Sequence, residues 1–108
     1  MTETEMFIDL KSSTKGVLEV LNIETGTTGL GVPDVFYTGN GFSGWIELKQ
    51  SNELKFEYRT KQRSWLKKHS YKKLNGFVLF HNNKTYYLLN KFDKEKFLSI
   101  EELKEYSI

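Results

Sequence analysis

The residues best suited to chemistry in this chain are two acids and a lysine, Asp34, Glu47 and Lys49. Successive side chains of a strand point to opposite faces, so Glu47 and Lys49 share one face of the predicted strand while Ile46 and Leu48 point to the other. Asp34 begins the preceding predicted strand, and a hairpin would set its carboxylate beside that of Glu47. The spacing predicts that two carboxylates and one ammonium group converge.

Two neighbouring carboxylates suit a hard divalent cation such as Mg²⁺, which keeps several waters and accepts phosphate oxygens as further ligands. Such an ion would lower the pKa of a bound water and neutralise charge on a phosphate. Lys49 would then hold the attacking hydroxide and stabilise the charge that grows in the transition state. The simpler alternative is an exposed acid–base pair on a half-buried strand, which the Glu47–Lys49 fragment by itself favours, because such pairs are common.

A first helix is predicted before these strands. Thr2 and Glu5 form a capping box, in which each side chain bonds an amide of the first turn. Glu3 precedes Met6 and Leu10 by three and seven residues, which places it on the apolar stripe of the helix and predicts that it faces inward. Because Glu5 is explained as a cap, Glu3 is preferred as the helical acid of the site.

Hydrophobic alternation and turn residues place the remaining elements. Three strands are predicted at Gly16 to Glu24, Val32 to Thr38 and Phe42 to Gln50, with a glycine-rich break at Thr25 to Gly31 and a tight hairpin at Gly39, Asn40 and Gly41. A loop over Ser51 to Tyr58 leads to a helix at Thr60 to Lys73, with Gln62, Trp65, Leu66 and His69 on its inner face. Two more strands, Gly76 to His81 and Thr85 to Leu89, flank a turn at Asn82 and Asn83, and Ser99 with Glu102 predicts a final short helix.

The order α-β-β-β-α-β-β-α predicts an α/β fold in which helices pack on a central sheet. At 108 residues, the chain is expected to form one domain over residues 1–108. It contains no cysteine, which excludes disulfides, thiolate metal sites and Cys nucleophiles. With no apolar run long enough for a bilayer and an acidic beginning, it is expected to be a soluble, cytoplasmic protein.

The string from Gly31, Val32, Pro33 and Asp34 through a thirteen-residue hairpin to Glu47, Leu48 and Lys49 resembles the signature of the PD-(D/E)xK nuclease superfamily. Within it, the chain is most similar to the VRR-NUC group, often viral, and the related Holliday-junction resolvases. The turn resembles the group's "G-x-PD" motif, and Gln62 with Trp65 and Leu66 resembles its "Q-x-x-x-L" helix. The resemblance covers residues 3 to about 89.

This resemblance implies a restriction-endonuclease-like core, a central mixed sheet flanked by helices, that cleaves phosphodiester bonds with Mg²⁺ or Mn²⁺, commonly as a homodimer. It assigns Lys49 as the catalytic lysine and Gln62 as a polar group near the water or the lysine. The implied metal ligands are Glu3, Asp34, Glu47 and the backbone carbonyl of Leu48. Gln62 could instead mark only the helix start, while Trp65, Leu66, His69 and His81 are expected to be structural.

The net charge of +2 is too small to indicate nucleic acid by itself, but the basic residues cluster between Lys49 and Lys73. They form either a solvated helix face or, as we favour beside a nuclease site, a phosphate-binding surface. The residues expected to contact DNA are Lys55, Arg59, Lys61, Arg63, Lys67 and Lys68.

The leading hypothesis is a Mg²⁺-dependent endodeoxyribonuclease that cuts branched DNA such as a four-way junction. The viral members of the group that it resembles suggest a phage or other virus as the source, with the enzyme acting in the host cell. A nickase, flap nuclease or restriction-type enzyme would use the same chemistry. A rival of a different class is a non-catalytic nucleic-acid-binding module of the same fold. A plain interaction protein is a third reading, which no particular residue supports.

Overall fold

The computed structural model describes residues 1–23, 32–70, 75–90 and 94–108, with the backbone alone at 69 and 70. In these ranges the helices are α1 (Glu3–Ser13), α2 (Thr60–Ser70) and α3 (Ile100–Tyr106). The strands are β1 (Glu19–Asn22), β2 (Val35–Thr38), β3 (Ser43–Gln50), β4 (Gly76–Asn82) and β5 (Thr85–Leu89). The predicted order of elements is confirmed. No helix in this part of the chain is long and apolar enough to cross a membrane.

One five-stranded sheet contains all of these strands in the order β1-β2-β3-β4-β5. Neighbouring strands are antiparallel except β3 and β4, which are parallel. A parallel pair requires a long crossover connection, and the segment that includes α2 provides it. The sheet is therefore mixed, as predicted.

Apolar side chains pack on both faces of the sheet. On the α1 face the core contains Met6, Val20, Val35, Tyr37, Ile46 and Leu48. On the face covered by α2 and α3 it contains Phe56, Tyr58, Leu66, Val78, Phe80, Leu89, Phe97 and Leu103. Glu47 and Lys49 alternate with Ile46 and Leu48 along β3, so they lie on the α2 face.

The N-termini of α1 and α3 begin where the capping residues predicted them. The amide of Thr2 donates to Glu5 Oε1 at 3.0 Å and the amide of Glu5 donates to Thr2 Oγ1 at 3.1 Å, which confirms the capping box. At α3 the amide of Glu102 donates to Ser99 Oγ at 3.1 Å. The Glu102 carboxylate instead accepts from the amide of Leu98 at 3.3 Å, so only half of the second box forms.

The first two strands begin later than predicted. After α1, the amides of Val17 and Leu18 both donate to the carbonyl of Thr14 at 2.9 Å, and Gly16 has a φ of +85°. This turn moves the start of β1 from residue 16 to 19. The second strand begins at Val35, two residues after Pro33, which has no amide to donate to a ladder. The predicted glycine-rich break and the predicted helix end at 71–73 lie outside the described residues.

The two hairpins use different residues from those expected. Of the three residues predicted to tolerate positive φ between β2 and β3, only Gly41 adopts it, at +86°. Gly39 is needed for another reason, since a Cβ there would run into the ring of Phe42. Between β4 and β5, the positive-φ residues are Asn83 and Lys84, one position later than predicted.

Candidate active site

Asp34 and Glu47 meet where β2 begins beside β3. Val35 pairs with Ile46 in the antiparallel register, so Asp34 lies next to Glu47. The amide of Asp34 donates to Glu47 Oε1 at 3.1 Å, and Asp34 Oδ2 accepts from the amide of Leu48 at 3.0 Å. Each carboxylate is therefore held by a backbone amide of the other strand segment.

The backbone of Leu48 points toward this pair of acids. Along β3 the amides of Trp45 and Ser51 donate toward β4, so by alternation Leu48 faces the β2 side, as its bond to Asp34 shows. The amide and carbonyl of one strand residue point to the same side. Because β2 begins only at Val35, the Leu48 carbonyl faces the Asp34 side chain and not a paired strand.

Lys49 is held in place by several acceptors. Its Nζ donates to the backbone carbonyl of Glu57 at 2.9 Å and to Gln62 Oε1 at 3.2 Å, and it lies 3.3 Å from Glu47 Oε2. It also lies 5.4 Å from the centre of the Tyr58 ring. Only 11% of the Lys49 side chain is exposed, so its ammonium group is fixed beside the acids.

Burial, first of all, and the neighbouring Asp34 carboxylate raise the pKa of Glu47 to about 8, while Lys49 opposes the shift. The side chain is 1% exposed. Its Oε2 atom is buried without a hydrogen-bond partner, although Lys49 is near. Strand β3 therefore contains a carboxyl group with a strongly perturbed pKa, which is typical of functional sites.

The donor set fits a hard divalent cation. A cation between Asp34 and Glu47 would remove their mutual repulsion and give the unpartnered Glu47 Oε2 a ligand. The Leu48 carbonyl would add a third oxygen on the same side. Two carboxylates, one carbonyl and several waters are the oxygen ligands that Mg²⁺ accepts.

Glu3 lies near this pair but does not form a compact cluster with it. The pKa of Glu3 is raised by partial desolvation and by Asp34, while Lys49 and Arg59 lower it, so its carboxylate lies within electrostatic range of the site. Glu5 is occupied by the cap. Among the described residues, however, no three His, Cys, Asp or Glu side chains are placed to hold a metal ion together. The side chain of Glu3 is solvent-exposed in the first turn of α1, contrary to the predicted inward position.

Gln62 lies beside Lys49, in the position that the sequence suggested for it. Its side chain is 2% exposed, and Oε1 accepts both from Lys49 Nζ and, at 3.2 Å, from the amide of Arg59. The residue thus joins the start of α2 to the lysine. Arg59 itself is exposed at this position, and its charge acts on Glu3 across the site.

All six predicted DNA contacts have exposed side chains: Lys55, Arg59, Lys61, Arg63, Lys67 and Lys68. Arg63 bonds Glu95 at 2.8 Å, and Lys55 lies 3.2 Å from Glu53, so these two have acidic partners within the chain. Of the histidines, His81 is 7% exposed and packs on the Tyr86 ring, as expected of a structural residue, whereas the His69 side chain lies outside the described residues.

The sequence matches no protein-family model and no curated protein sequence. Among solved structures, the fold matches that of Archaeoglobus fulgidus Hjc, a Holliday junction resolvase from an archaeal hyperthermophile. The TM-score is 0.65 over 94% of this chain and 97% of that chain. The chain shares the fold of this structure. This confirms the predicted α/β fold with a mixed sheet flanked by helices, while the sequence identity of 15% limits the likeness to the fold.

Within this fold, sequence reasoning missed the groups that position Lys49. The strongest is the carbonyl of Glu57, a backbone atom that no side-chain pattern reveals. Asn82 was assigned to a turn, yet it is 1% exposed in β4 and donates to the carbonyls of Ser51 and Glu53 at 3.1 and 2.8 Å. These bonds fasten the loop that leads from β3 to Glu57. In the sequence, Asn82 followed by Asn83 predicted only a turn, so the role of Asn82 in holding the loop was not foreseen.

Proposed function

We propose that this protein is a metal-dependent DNA endonuclease that acts on branched DNA, with a four-way junction as its preferred substrate. The observation that carries the proposal is the convergence of the half-buried Asp34 with the buried Glu47 and Lys49, in which Glu47 Oε2 has no hydrogen-bond partner. Holding two carboxylates together where water is largely excluded is costly unless a ligand uses them. A phosphodiester and a divalent cation are ligands that would do so.

Asp34, Glu47 and the Leu48 carbonyl would hold Mg²⁺ or Mn²⁺, with Glu3 as a further candidate ligand. When bound, the ion would supply Lewis-acid activation of water and neutralise charge on the phosphate. Lys49 would orient the attacking water and stabilise the charge that develops on the phosphate oxygens. Gln62 and the Glu57 carbonyl would keep the ammonium group directed at the reacting atoms, because both accept hydrogen bonds from it.

The choice of branched DNA rests on two lines of support. The sequence resembles a nuclease superfamily in which Holliday-junction resolvases are close relatives of the VRR-NUC group, and the fold neighbour is itself a Holliday junction resolvase. Arg59 is the predicted phosphate contact nearest to the site, since its amide shares Gln62 Oε1 with Lys49. We propose that Arg59 contacts a phosphate of the DNA strand that is cut.

The test is a gel assay on a labelled four-way junction, a flap and a linear duplex, each with Mg²⁺, Mn²⁺ or EDTA. Wild type should cut the junction only when metal is present, and Lys49→Ala should abolish cutting while it still binds the junction. Lys104→Ala, a change at an exposed lysine on α3, is the matched control and should cut normally. Equal cutting of all substrates would indicate a general nickase or restriction-type enzyme.

The same assay tests the non-catalytic alternative. If the wild type binds the junction in a mobility-shift experiment but cuts none of the substrates with either metal, the protein is a DNA-binding module that has kept the fold. If it neither binds nor cuts, the nucleic-acid proposal fails as a whole. Binding should weaken as salt rises, because phosphate contacts release counterions.

A further inference from the structure

The peptide group between Glu57 and Tyr58 connects Lys49 to an acid from a remote part of the chain. The carbonyl of Glu57 accepts from Lys49 Nζ at 2.9 Å. The amide of Tyr58, which belongs to the same planar group, donates to Glu95 Oε2 at 3.0 Å. We call this series of Glu95 carboxylate, peptide group and Lys49 ammonium the peptide relay.

The charges at the two ends of the peptide relay match the dipole between them. A peptide group is electropositive at its N–H and electronegative at its C=O. The Glu95 carboxylate lies at the electropositive end and the Lys49 ammonium at the electronegative end. Because hydrogen bonds in series polarise one another, the charge of Glu95 makes the Glu57 carbonyl a stronger acceptor. Glu95 therefore acts on Lys49 through the intervening peptide group.

Glu95 is held in place by its backbone and by its side chain. Its carbonyl accepts from the amide of Phe56 at 2.9 Å, beside a β-bridge between Lys55 and Lys96. Arg63 of α2 bonds both carboxylate oxygens, at 2.8 and 2.9 Å. Only 20% of the Glu95 side chain is exposed, so water screens this charge less than it screens a surface acid.

The peptide relay serves the nearest acceptor of Lys49. The Glu57 carbonyl lies 2.9 Å from Nζ, whereas Gln62 Oε1 lies at 3.2 Å and Glu47 Oε2 at 3.3 Å. Glu95 lies beyond residues 3 to about 89, over which the sequence resembles the nuclease superfamily. No motif in the sequence therefore assigns a role to Glu95.

We propose that Glu95 is a positioning residue for Lys49, whose ammonium group it holds, through the peptide relay, in the orientation that cleavage needs. The role in cleavage rests on the proposed nuclease function, whereas the relay can be measured in the protein alone. The proposal also gives Arg63 a task other than the DNA contact predicted from the sequence, since Arg63 holds the Glu95 carboxylate.

Glu95→Gln tests the charge, because glutamine keeps the shape and an oxygen that can accept from the Tyr58 amide. Glu102→Gln is the matched control. The Glu102 side chain is 18% exposed, accepts from the amide of Leu98 at 3.3 Å and pairs with Lys94. It thus resembles Glu95 in exposure and in its kinds of partner, but the amide that it binds is not part of the peptide relay.

Nuclear magnetic resonance of the ¹⁵N-labelled protein, without metal or DNA, measures the peptide relay. Hydrogen exchange of the Lys49 ammonium group with water should accelerate about tenfold in Glu95→Gln, because a charge-assisted hydrogen bond is about twice as strong as a neutral one. The amide proton of Tyr58 should shift upfield for the same reason. Glu102→Gln should change neither signal, and the spectrum of Lys49→Ala assigns the ammonium resonance.

Single-turnover cleavage of the four-way junction measures the consequence. Glu95→Gln should lower the rate at saturating protein by about tenfold, with junction affinity and the Mg²⁺ concentration for half-maximal rate within about twofold of wild type. Glu102→Gln should cut at the wild-type rate. A residue that only stabilised the fold would lower the midpoint of urea unfolding without this selective loss of rate.

The proposal is overturned if Lys49 exchanges equally fast in the wild type and Glu95→Gln. It is also overturned if both glutamine variants lose the same cleavage rate, since that result would indicate a structural role for each acid. If the exchange accelerates as expected but the wild type cuts no DNA, the nuclease function fails and the positioning of Lys49 by Glu95 stands. The two failures are therefore distinguishable.

Discussion

Replacing Glu47 with glutamine should stabilise the metal-free protein while it abolishes cleavage. Glutamine keeps an oxygen to accept from the amide of Asp34, and an uncharged amide group takes the place of Oε2. It removes a carboxylate whose pKa is raised to about 8 by burial and by Asp34. The variant therefore loses a charge that opposes folding and retains the shape of the side chain.

The size of the effect follows from the raised pKa. A carboxyl group with a higher pKa in the folded state favours folding most below its ordinary value of 4.5, and this contribution is lost as pH rises to about 8. Each pKa unit corresponds to about 1.4 kcal/mol. The titratable group thus lowers the free energy of unfolding by about 3 kcal/mol at pH 7, where it is still mostly protonated in the folded state, and by about 5 kcal/mol above pH 8.

The assay is urea unfolding at pH 4, 7 and 9 in EDTA, followed by circular dichroism. Glu47→Gln should match the wild type near pH 4 and exceed it by about 3 kcal/mol in free energy of unfolding at pH 7. Glu105→Gln, at an exposed glutamate on α3, should show no such pH-dependent gain. A variant less stable than wild type at pH 7, or a difference that does not grow between pH 4.5 and 8, would refute the reasoning.

Three further predictions concern the surroundings of the site. Gln62→Ala should lower kcat by about tenfold to a hundredfold with little change in junction affinity, because Lys49 loses one acceptor; single-turnover cleavage and mobility shifts separate the two. Arg59→Ala should weaken junction binding and reduce its salt dependence by about one counterion, whereas Arg63→Ala, already paired with Glu95, should do less in the same titration. Asn82→Ala should cost about 1–3 kcal/mol in urea unfolding, since two loop carbonyls lose their donor; an unchanged midpoint would contradict this.

The features that sequence predicted well depend on neighbours in the chain. The capping box of α1 joins residues three apart, and the common face of Glu47 and Lys49 needs only the period of a strand. The hairpin that brings Asp34 to Glu47 is also short, and the glycines in its turn predict it. Local geometry was sufficient because each contact involves one element or one tight turn.

The features that sequence misplaced depend on what surrounds an element. The start of β1 moved because the end of α1 continues into a turn that uses the amides of Val17 and Leu18. Glu3 lies on the predicted stripe, but the stripe leaves the core at the first turn, so the acid is exposed beside the site. Hydrophobic periodicity predicts neither the later start of β1 nor the exposure of Glu3. It indicates which side of a helix a residue lies on, but not how deeply the end of that helix is packed.

By itself, the sequence determined the order of elements, the α/β class and the identity of the two acids and the lysine that meet in the site. Only the tertiary structure decided what holds them: the Glu57 carbonyl and Gln62 on Lys49, and Glu95, 32 residues away, on Arg63. The reason is that hydrogen bonds and burial depend on distances between segments remote in the chain. Those distances are set by packing on the sheet, which local residue patterns do not encode.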